Sequence, residues 1–426
     1  MVVRDAAKRM TGLVSCLASG FCRPFRNVCG VLIVSLLGLP VLGFQARQAH
    51  DDASASGEAT FAATSAKADA ARDANRLEEA ESLYKKALAL RPDWSEGWWS
   101  LGTIEYDRSA YADAVYAFEK LTALVPKNGN AYVMFGLSEF ELGRDVPALQ
   151  HLEKGASLGL DQNINLRYVA LYHVGIVRQR LGRFQAAQET LEQLCLQGVQ
   201  SDALASTLGM VLLRMRSKEP PPPGSQDAEV VTRVGHAGCL AGQKKFDEAK
   251  KELTAVVGEH PEYPNIHYAL GIVLLEASDL SGANAEFKEE IKNNPADIVS
   301  RLQIAAAMYK TDSAGGVPYA EEAVRLAPQQ PFGHYLLGML LLDVDDYQKA
   351  IPELEIAQKA FPRESKIYLA MGSAYSRAGR KQEAAQARAT FTRMKEEDDK
   401  AGSGDPGSGT TGSGKIPVGE VPATPQ

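Results

Sequence analysis

The sequence has few of the residues that build catalytic and metal centres. It contains 7 histidines and 5 cysteines among 426 residues, and the histidines show no spacing typical of metal ligands. It lacks a run of about 20 apolar residues, which a membrane-spanning helix needs. It also lacks excess positive charge, since the formal net charge is −7. These absences argue against a metal site, a multi-span membrane protein and a protein that binds nucleic acid.

The N-terminus differs in composition from the rest and predicts a targeting segment. Residues 1–46 hold five basic residues and one acid, and they include a 17-residue apolar run from Val28 to Phe44. A basic region before such a run is typical of a signal peptide. We expect residues 1–46 to be a signal peptide, with the mature chain periplasmic or secreted. Retention as an N-terminal membrane anchor is the alternative, and residues 47–60 are predicted to be a linker.

Cysteine usage follows the same division. Cys16, Cys22 and Cys29 lie in the targeting segment, so only Cys195 and Cys239 reach the mature protein. Export makes a disulfide chemically possible. Both residues fall at apolar helix positions, however, and small buried thiols are common in protein cores. We therefore expect two buried free thiols.

A repeat with a period near 34 residues is the dominant pattern of the chain. A large apolar residue followed by glycine recurs at this distance, as Leu101-Gly102 and Phe135-Gly136 show. Prolines that close apolar stretches lie 33 or 34 residues apart within two groups, Pro92 and Pro126, then Pro261, Pro295, Pro328 and Pro362. Because glycine and proline show the same period independently, the chain is built from repeated structural units.

Each period contains two apolar stripes with helical spacing, a short turn and a terminating proline, so each unit is predicted to be a helical hairpin. In the unit from Ser95 to Asn128, Gly102 and Ala114 are small enough to let two helices approach, and Phe118 fills the space beside them. This pattern resembles the tetratricopeptide repeat. The resemblance implies an all-α fold, a right-handed superhelical solenoid of antiparallel helix hairpins.

The repeats predict two lobes. Four consecutive prolines from Pro220 to Pro223 cannot continue a helix, so residues 218–225 are predicted to be a linker between lobes at 61–217 and 226–397. Residues 398–426 are rich in Gly, Ser and Pro and are predicted to be disordered. The units are predicted to begin near Phe61, Ser95, Gly129, Tyr168, Asp202, Val230, Pro264, Ile298, Pro331 and Ser365.

The sequence groups no catalytic, cofactor-binding or metal-binding residues. Gly409 to Lys415 resembles a phosphate-binding loop, but Ile416 replaces the required Ser or Thr and neither a strand nor a helix flanks it. His267 and His334 fall at the large-residue position of their first helices. We expect both to be packed, hydrogen-bonded core residues.

Function is therefore expected to lie on the surface. The resemblance implies that first helices line a concave groove, and aromatic rings with polar neighbours suit peptide binding there. We predict a non-catalytic scaffold that binds a partner protein or peptide, without a cofactor. An enzyme or accessory subunit acting on a small molecule or glycan is the alternative. The candidate groove residues are Trp99, Tyr106, Phe140, Tyr172, Gln179, Arg180, Tyr268 and Tyr335.

Overall fold

A computed structural model of the chain describes residues 44–160 and 164–402. Most of the predicted targeting segment and most of the predicted tail lie outside these ranges. All regular elements within them are α-helices, 19 in number, which confirms the all-α prediction. The first seven are α1 (Phe44–Asp73), α2 (Leu77–Leu90), α3 (Ser95–Asp107), α4 (Tyr111–Leu124), α5 (Gly129–Glu141), α6 (Asp145–Ser157) and α7 (Ile164–Arg180). The others are α8 (Phe184–Leu196), α9 (Asp202–Leu212), α10 (Gln226–Gly242), α11 (Phe246–Glu259), α12 (Ile266–Glu276), α13 (Leu280–Asn293), α14 (Ile298–Met308), α15 (Ser313–Leu326), α16 (Pro331–Asp343), α17 (Tyr347–Ala360), α18 (Ser365–Arg377) and α19 (Lys381–Gly402).

The chain divides into two compact units, unit 1 ending at Val177 and unit 2 beginning at Arg178. This boundary differs from the predicted linker at 218–225. Those residues form a loop between α9 and α10, which pack directly against each other. The predicted linker at 47–60 lies inside α1. In each unit, most helices adjacent in sequence pack side by side.

Small residues set the approach of the two helices within a hairpin. A Cβ atom at Gly102 of α3 would lie 2.9 Å from the ring of Phe118 in α4, and Phe118 is fully buried. Ala114 is also fully buried. A side chain at position 102 would collide with Phe118, because packed interiors leave no spare volume. The role predicted for Gly102, Ala114 and Phe118 is therefore confirmed.

In several first helices, a side chain with a polar group at its end hydrogen-bonds to the backbone carbonyl oxygen of the proline that ends the preceding repeat. The indole Nε1 of Trp98 donates to the Pro92 carbonyl over 2.7 Å, and the Tyr368 hydroxyl donates to the Pro362 carbonyl over 3.0 Å. His267 and His334 contact the carbonyls of Pro261 and Pro328 in the same way. These bonds matter because helix ends leave carbonyls without intrahelical donors.

Unit 2 contains the tightest helix contact, between α9 and α10. A Cβ atom at Gly235 would lie 1.7 Å from the Ala205 carbonyl oxygen, and one at Gly209 would lie 1.8 Å from the Val231 carbonyl oxygen. The two backbones touch, so only glycine fits at either position. Although the proline run lies between them, α9 packs against α10 as its partner helix.

A disulfide joins Cys195 of α8 to Cys239 of α10, with Cα atoms 5.2 Å apart. The prediction of two free thiols is wrong. Cys195 is fully buried, as expected. The two cysteines meet because α10 packs against α8 as well as α9, an arrangement that the irregular spacing around 218–225 concealed.

Candidate functional site

The described residues contain no group of three or more His, Cys, Asp or Glu side chains that could hold a metal ion. None of the described helices combines the length and the apolar composition that a membrane crossing requires. A cavity of about 540 Å³ in unit 1 is lined by charged residues that pair with one another. Arg108 contacts Glu78 and Glu81, and Lys85 contacts Glu81 and Glu105. This mutual pairing leaves these side chains poorly placed for acid or base chemistry.

Two carboxyl groups meet away from this cavity, at the junction of α8 and α12. The Gln188 amide nitrogen donates to Glu192 over 2.8 Å and to Glu276 over 2.7 Å. Burial, together with the nearby Glu276 carboxylate, raises the pKa of Glu192 to about 8. Burial also raises the pKa of Glu276. Since two close carboxylates resist joint ionisation, the pair retains a proton near neutral pH.

The predicted groove residues of unit 1 lie in α3, α5 and α7 and are only partly accessible. Trp99 is half-buried and meets the buried Phe118 edge-on, with ring centroids 6.0 Å apart. Tyr106 is 8% exposed, and burial raises the pKa of its hydroxyl. Phe140 and Tyr172 are half-buried, and both rings contact His173, at centroid distances of 4.8 Å and 5.6 Å. These rings therefore serve the packing of unit 1 to a large extent.

The predicted groove residues Gln179 and Tyr268 are almost fully buried. Gln179 is 2% exposed, and its amide nitrogen donates to the Met215 and Ser217 carbonyls in the segment after α9. Tyr268 is 8% exposed and lies under the Arg214 guanidinium, 5.3 Å from the ring centroid. Burial leaves both side chains little surface to offer a partner. Arg180, beside Gln179, is half-buried.

Tyr335 lies within an apolar surface on the first helices of three consecutive hairpins. We call it the Tyr335 surface and define it as Tyr309 at the end of α14, Tyr335, Met339 and Leu342 of α16, and Leu369 of α18. The first four are half-buried, and Leu369 is 47% exposed. Helix α16 packs against both α14 and α18. Tyr335 and Leu342 pack onto the two hydrophobic cores on either side of α16.

Paired charges surround the Tyr335 surface. Lys310 pairs with Asp343, which also accepts a hydrogen bond from the Ser313 hydroxyl over 2.6 Å. These two contacts lower the pKa of Asp343. Arg377 pairs with Asp345. Burial raises the pKa of Tyr335 to about 12, so its hydroxyl stays neutral. The surface therefore offers apolar area and a neutral hydroxyl, flanked by charges that already have partners.

Sequence reasoning named Tyr335 as a candidate and did not name Tyr309, Met339, Leu342 and Leu369. The repeat held a signal for three of them. Met339 and Leu342 lie four and seven residues after Tyr335, on the same helix face, and Leu369 lies one period after Tyr335. The predicted groove was built from aromatic rings and so left out two leucines and a methionine, although methionine and leucine also build binding surfaces.

Three segments match the tetratricopeptide repeat family model, namely residues 65–152, 240–298 and 335–390. The chain contains tetratricopeptide repeats. The matched segments include Trp99, Tyr106 and Phe140 in unit 1 and Tyr268 and Tyr335 in unit 2. Between these segments the described residues again form helices and no strands.

Comparison with solved structures finds matches to parts of the chain. MamA residues 41 to the end, from Desulfovibrio magneticus RS-1, are 20% identical with a TM-score of 0.36, over 39% of this chain and 97% of that one. Yeast Tom70 is 13% identical with a TM-score of 0.31, over 81% of this chain and 90% of that one. Both TM-scores lie below 0.5, so we infer nothing from either protein. Comparison with curated proteins finds no match.

Proposed function

We propose that this repeat protein is a non-catalytic scaffold that binds a segment of a partner protein on the first-helix face of its hairpins, in an assembly outside the cytoplasm. The Tyr335 surface is the observation that carries the proposal. Large apolar side chains repeat there at equivalent positions of neighbouring hairpins, and one of them, Leu369, is 47% exposed. Tyr and Met are enriched at the centres of protein interfaces.

The chemistry of this surface favours an apolar or mixed segment over a strongly charged one. Lys310 and Arg377 already pair with Asp343 and Asp345. A charged ligand would have to displace these partners, whereas an apolar anchor only has to cover Tyr335, Met339 and Leu342. Aromatic rings bury large areas, and the flexible, polarizable thioether of methionine adapts to irregular partner surfaces.

Two features support a location outside the cytoplasm. The basic and apolar composition of residues 1–46 is typical of an export signal. The Cys195–Cys239 disulfide suits an oxidising compartment, since disulfides are rare in reducing cytosol. We expect fractionation of the native host to place the protein outside the cytoplasm, with both cysteines resistant to alkylation. Recovery in the cytosolic fraction with both thiols alkylated would contradict this location.

Substitutions on the Tyr335 surface are expected to weaken partner binding at least about tenfold, because central interface residues contribute most of the affinity. Leu369→Glu places a charge on the apolar surface with little effect on the core, since Leu369 is 47% exposed. Tyr335→Ala removes the central ring. Affinity for a partner captured from the native envelope is measured for the wild type and each variant by biolayer interferometry.

The matched control is Ile356→Glu, at an apolar residue of α17 that is 41% exposed but lies on a second helix. It adds the same charge in the same unit and is expected to leave affinity unchanged. Equal losses in Leu369→Glu and Ile356→Glu, or no loss in either surface variant, would show that partners bind elsewhere.

A further inference from the structure

Two histidines of unit 2 occupy the same position in different hairpins and hold the same pair of partners. Nδ1 of His267 lies 2.6 Å from a carboxylate oxygen of Glu286, and Nε2 lies 3.0 Å from the Pro261 carbonyl oxygen. Nδ1 of His334 lies 2.5 Å from Glu353, and Nε2 lies 3.0 Å from the Pro328 carbonyl oxygen. The two histidines are 8% and 5% exposed. Their expected role as packed, hydrogen-bonded residues is confirmed.

This geometry favours a proton on both nitrogens of each ring. A neutral imidazole carries one N–H, whereas the imidazolium carries two. A carbonyl oxygen and a carboxylate are both acceptors, so a neutral ring would turn the lone pair of one buried nitrogen toward an acceptor. A buried nitrogen without a hydrogen-bond partner is destabilising. The Pro261 carbonyl oxygen also accepts from the Asn293 amide over 2.8 Å. Each ring is therefore fully hydrogen-bonded only in its charged form.

The charged groups around each ring favour that form. Three carboxylates of α13 act on His267, namely Glu286, Glu289 and Glu290. The hydrogen bond to Glu286 raises the pKa of His267 above 6.5, against the opposing effect of burial.

His334 has a corresponding carboxylate partner on α17. The hydrogen bond to Glu353 raises the pKa of His334 above 6.5, again against burial. Glu353 lines a groove of about 340 Å³ together with Lys349 of the same helix and Glu321 and Arg325 of α15. The cations Lys349 and Arg325 line the same groove as Glu353. Both ring nitrogens of His334 contact only hydrogen-bond acceptors.

We infer that protonated His267 and protonated His334 each stabilise one hairpin of unit 2 by bonding to two acceptors, an arrangement we call a proton clamp. Unit 2 is therefore stable at acid and neutral pH and becomes less stable as the pH rises. Other repeats of the chain carry a different residue type at the position of these histidines. Trp98 and Tyr368 donate to the equivalent proline carbonyls through an indole N–H and a phenol O–H. Histidine at this position makes the contact depend on pH.

The direction of the effect follows from linkage. A histidine whose pKa is raised by folding contributes stability that is fully present below its unfolded pKa, near 6.5. That stability is lost as the pH rises through the higher folded pKa. His267 and His334 directly precede Tyr268 and Tyr335. Loss of the second proton from each histidine therefore destabilises the first helices next to these two tyrosine rings.

The test compares thermal unfolding of the full chain at about pH 6 and about pH 9, for the wild type and for a His267→Gln/His334→Gln variant. The unfolding midpoint of wild-type unit 2 is expected to fall by on the order of 5 °C over this range. The double variant should unfold earlier at pH 6 and show a smaller decrease than the wild type, the remainder coming from the Glu192–Glu276 pair, which also loses its proton in this range. His236→Gln, at an exposed histidine, should behave as the wild type does.

Nitrogen-15 NMR of histidine-labelled wild-type protein tests the same inference without a substitution. At about pH 7, above the ordinary histidine pKa, His267 and His334 are expected to show protons on both nitrogens. The inference is overturned if either clamp histidine is neutral at this pH. It is equally overturned if the double variant retains the wild-type decrease in its unfolding midpoint.

Discussion

Reduction of the Cys195–Cys239 disulfide is expected to lower the free energy of unfolding of unit 2 by about 4 kcal/mol. The bond closes a chain segment with a sequence separation of 44 residues, and a loop of this length gives about 4 kcal/mol in the chain-entropy treatment. The closed segment contains α9 and the loop at 218–225, where a run of prolines interrupts the helical repeat. The disulfide thus stabilises the stack where its hairpins are least regular.

Urea unfolding with and without reductant measures this difference. A Cys195→Ala/Cys239→Ala variant removes this bond alone, so its stability should match that of the reduced wild type and should not change on addition of reductant. If the wild-type midpoint does not change on reduction, the disulfide contributes nothing to the stability of unit 2.

The second large effect is expected at the contact between α9 and α10. Gly235→Ala should lower the free energy of unfolding by about 3 kcal/mol, the upper part of the range for overpacked cores. The added methyl group would lie 1.7 Å from the Ala205 carbonyl oxygen, which belongs to the backbone and cannot rotate away. The helices must separate, and the disulfide between α8 and α10 restricts the direction in which α10 can move.

Gly258→Ala provides the matched control. Gly258 lies in α11, and a methyl group added there would meet no neighbouring atom within 4 Å. Alanine there is expected to stabilise the protein by about 0.5–1 kcal/mol, because it restricts the unfolded chain and favours helix. Urea midpoints of the two variants should therefore shift in opposite directions. A Gly235→Ala protein as stable as the wild type would contradict the backbone contact described for α9 and α10.

The 34-residue period predicted most of the fold because each hairpin repeats the same packing problem. Small residues must lie where helices touch, and in most hairpins a proline follows the second helix. Six helices begin at the residue at which the period placed a unit, namely Ser95, Gly129, Asp202, Ile298, Pro331 and Ser365.

The period failed where the chain is irregular. Around residues 218–225 the spacing changes, so the sequence could not show that α10 pairs with α9 and also reaches α8. That contact brings Cys195 to Cys239. Distance across an irregular stack depends on how a loop returns, and local patterns do not contain that information.

For the candidate site, sequence periodicity gives the face of a helix and not the depth of burial. Tyr268 and Tyr335 occupy equivalent positions in their repeats. Arg214 covers the ring of Tyr268, whereas Tyr335 remains half-buried beside Met339 and Leu342. The difference depends on a neighbour that comes from the irregular region.

Site-specific photo-cross-linking in the native host tests most directly whether the Tyr335 surface binds a protein. A photoreactive residue replaces Leu369 on the surface or Ile356 on the second helix of the preceding hairpin. We expect a discrete protein adduct at position 369 that is absent at position 356 and is lost in a Tyr335→Ala background. Identical adducts at both positions, or an adduct at position 369 that persists without the Tyr335 ring, would contradict binding at this surface.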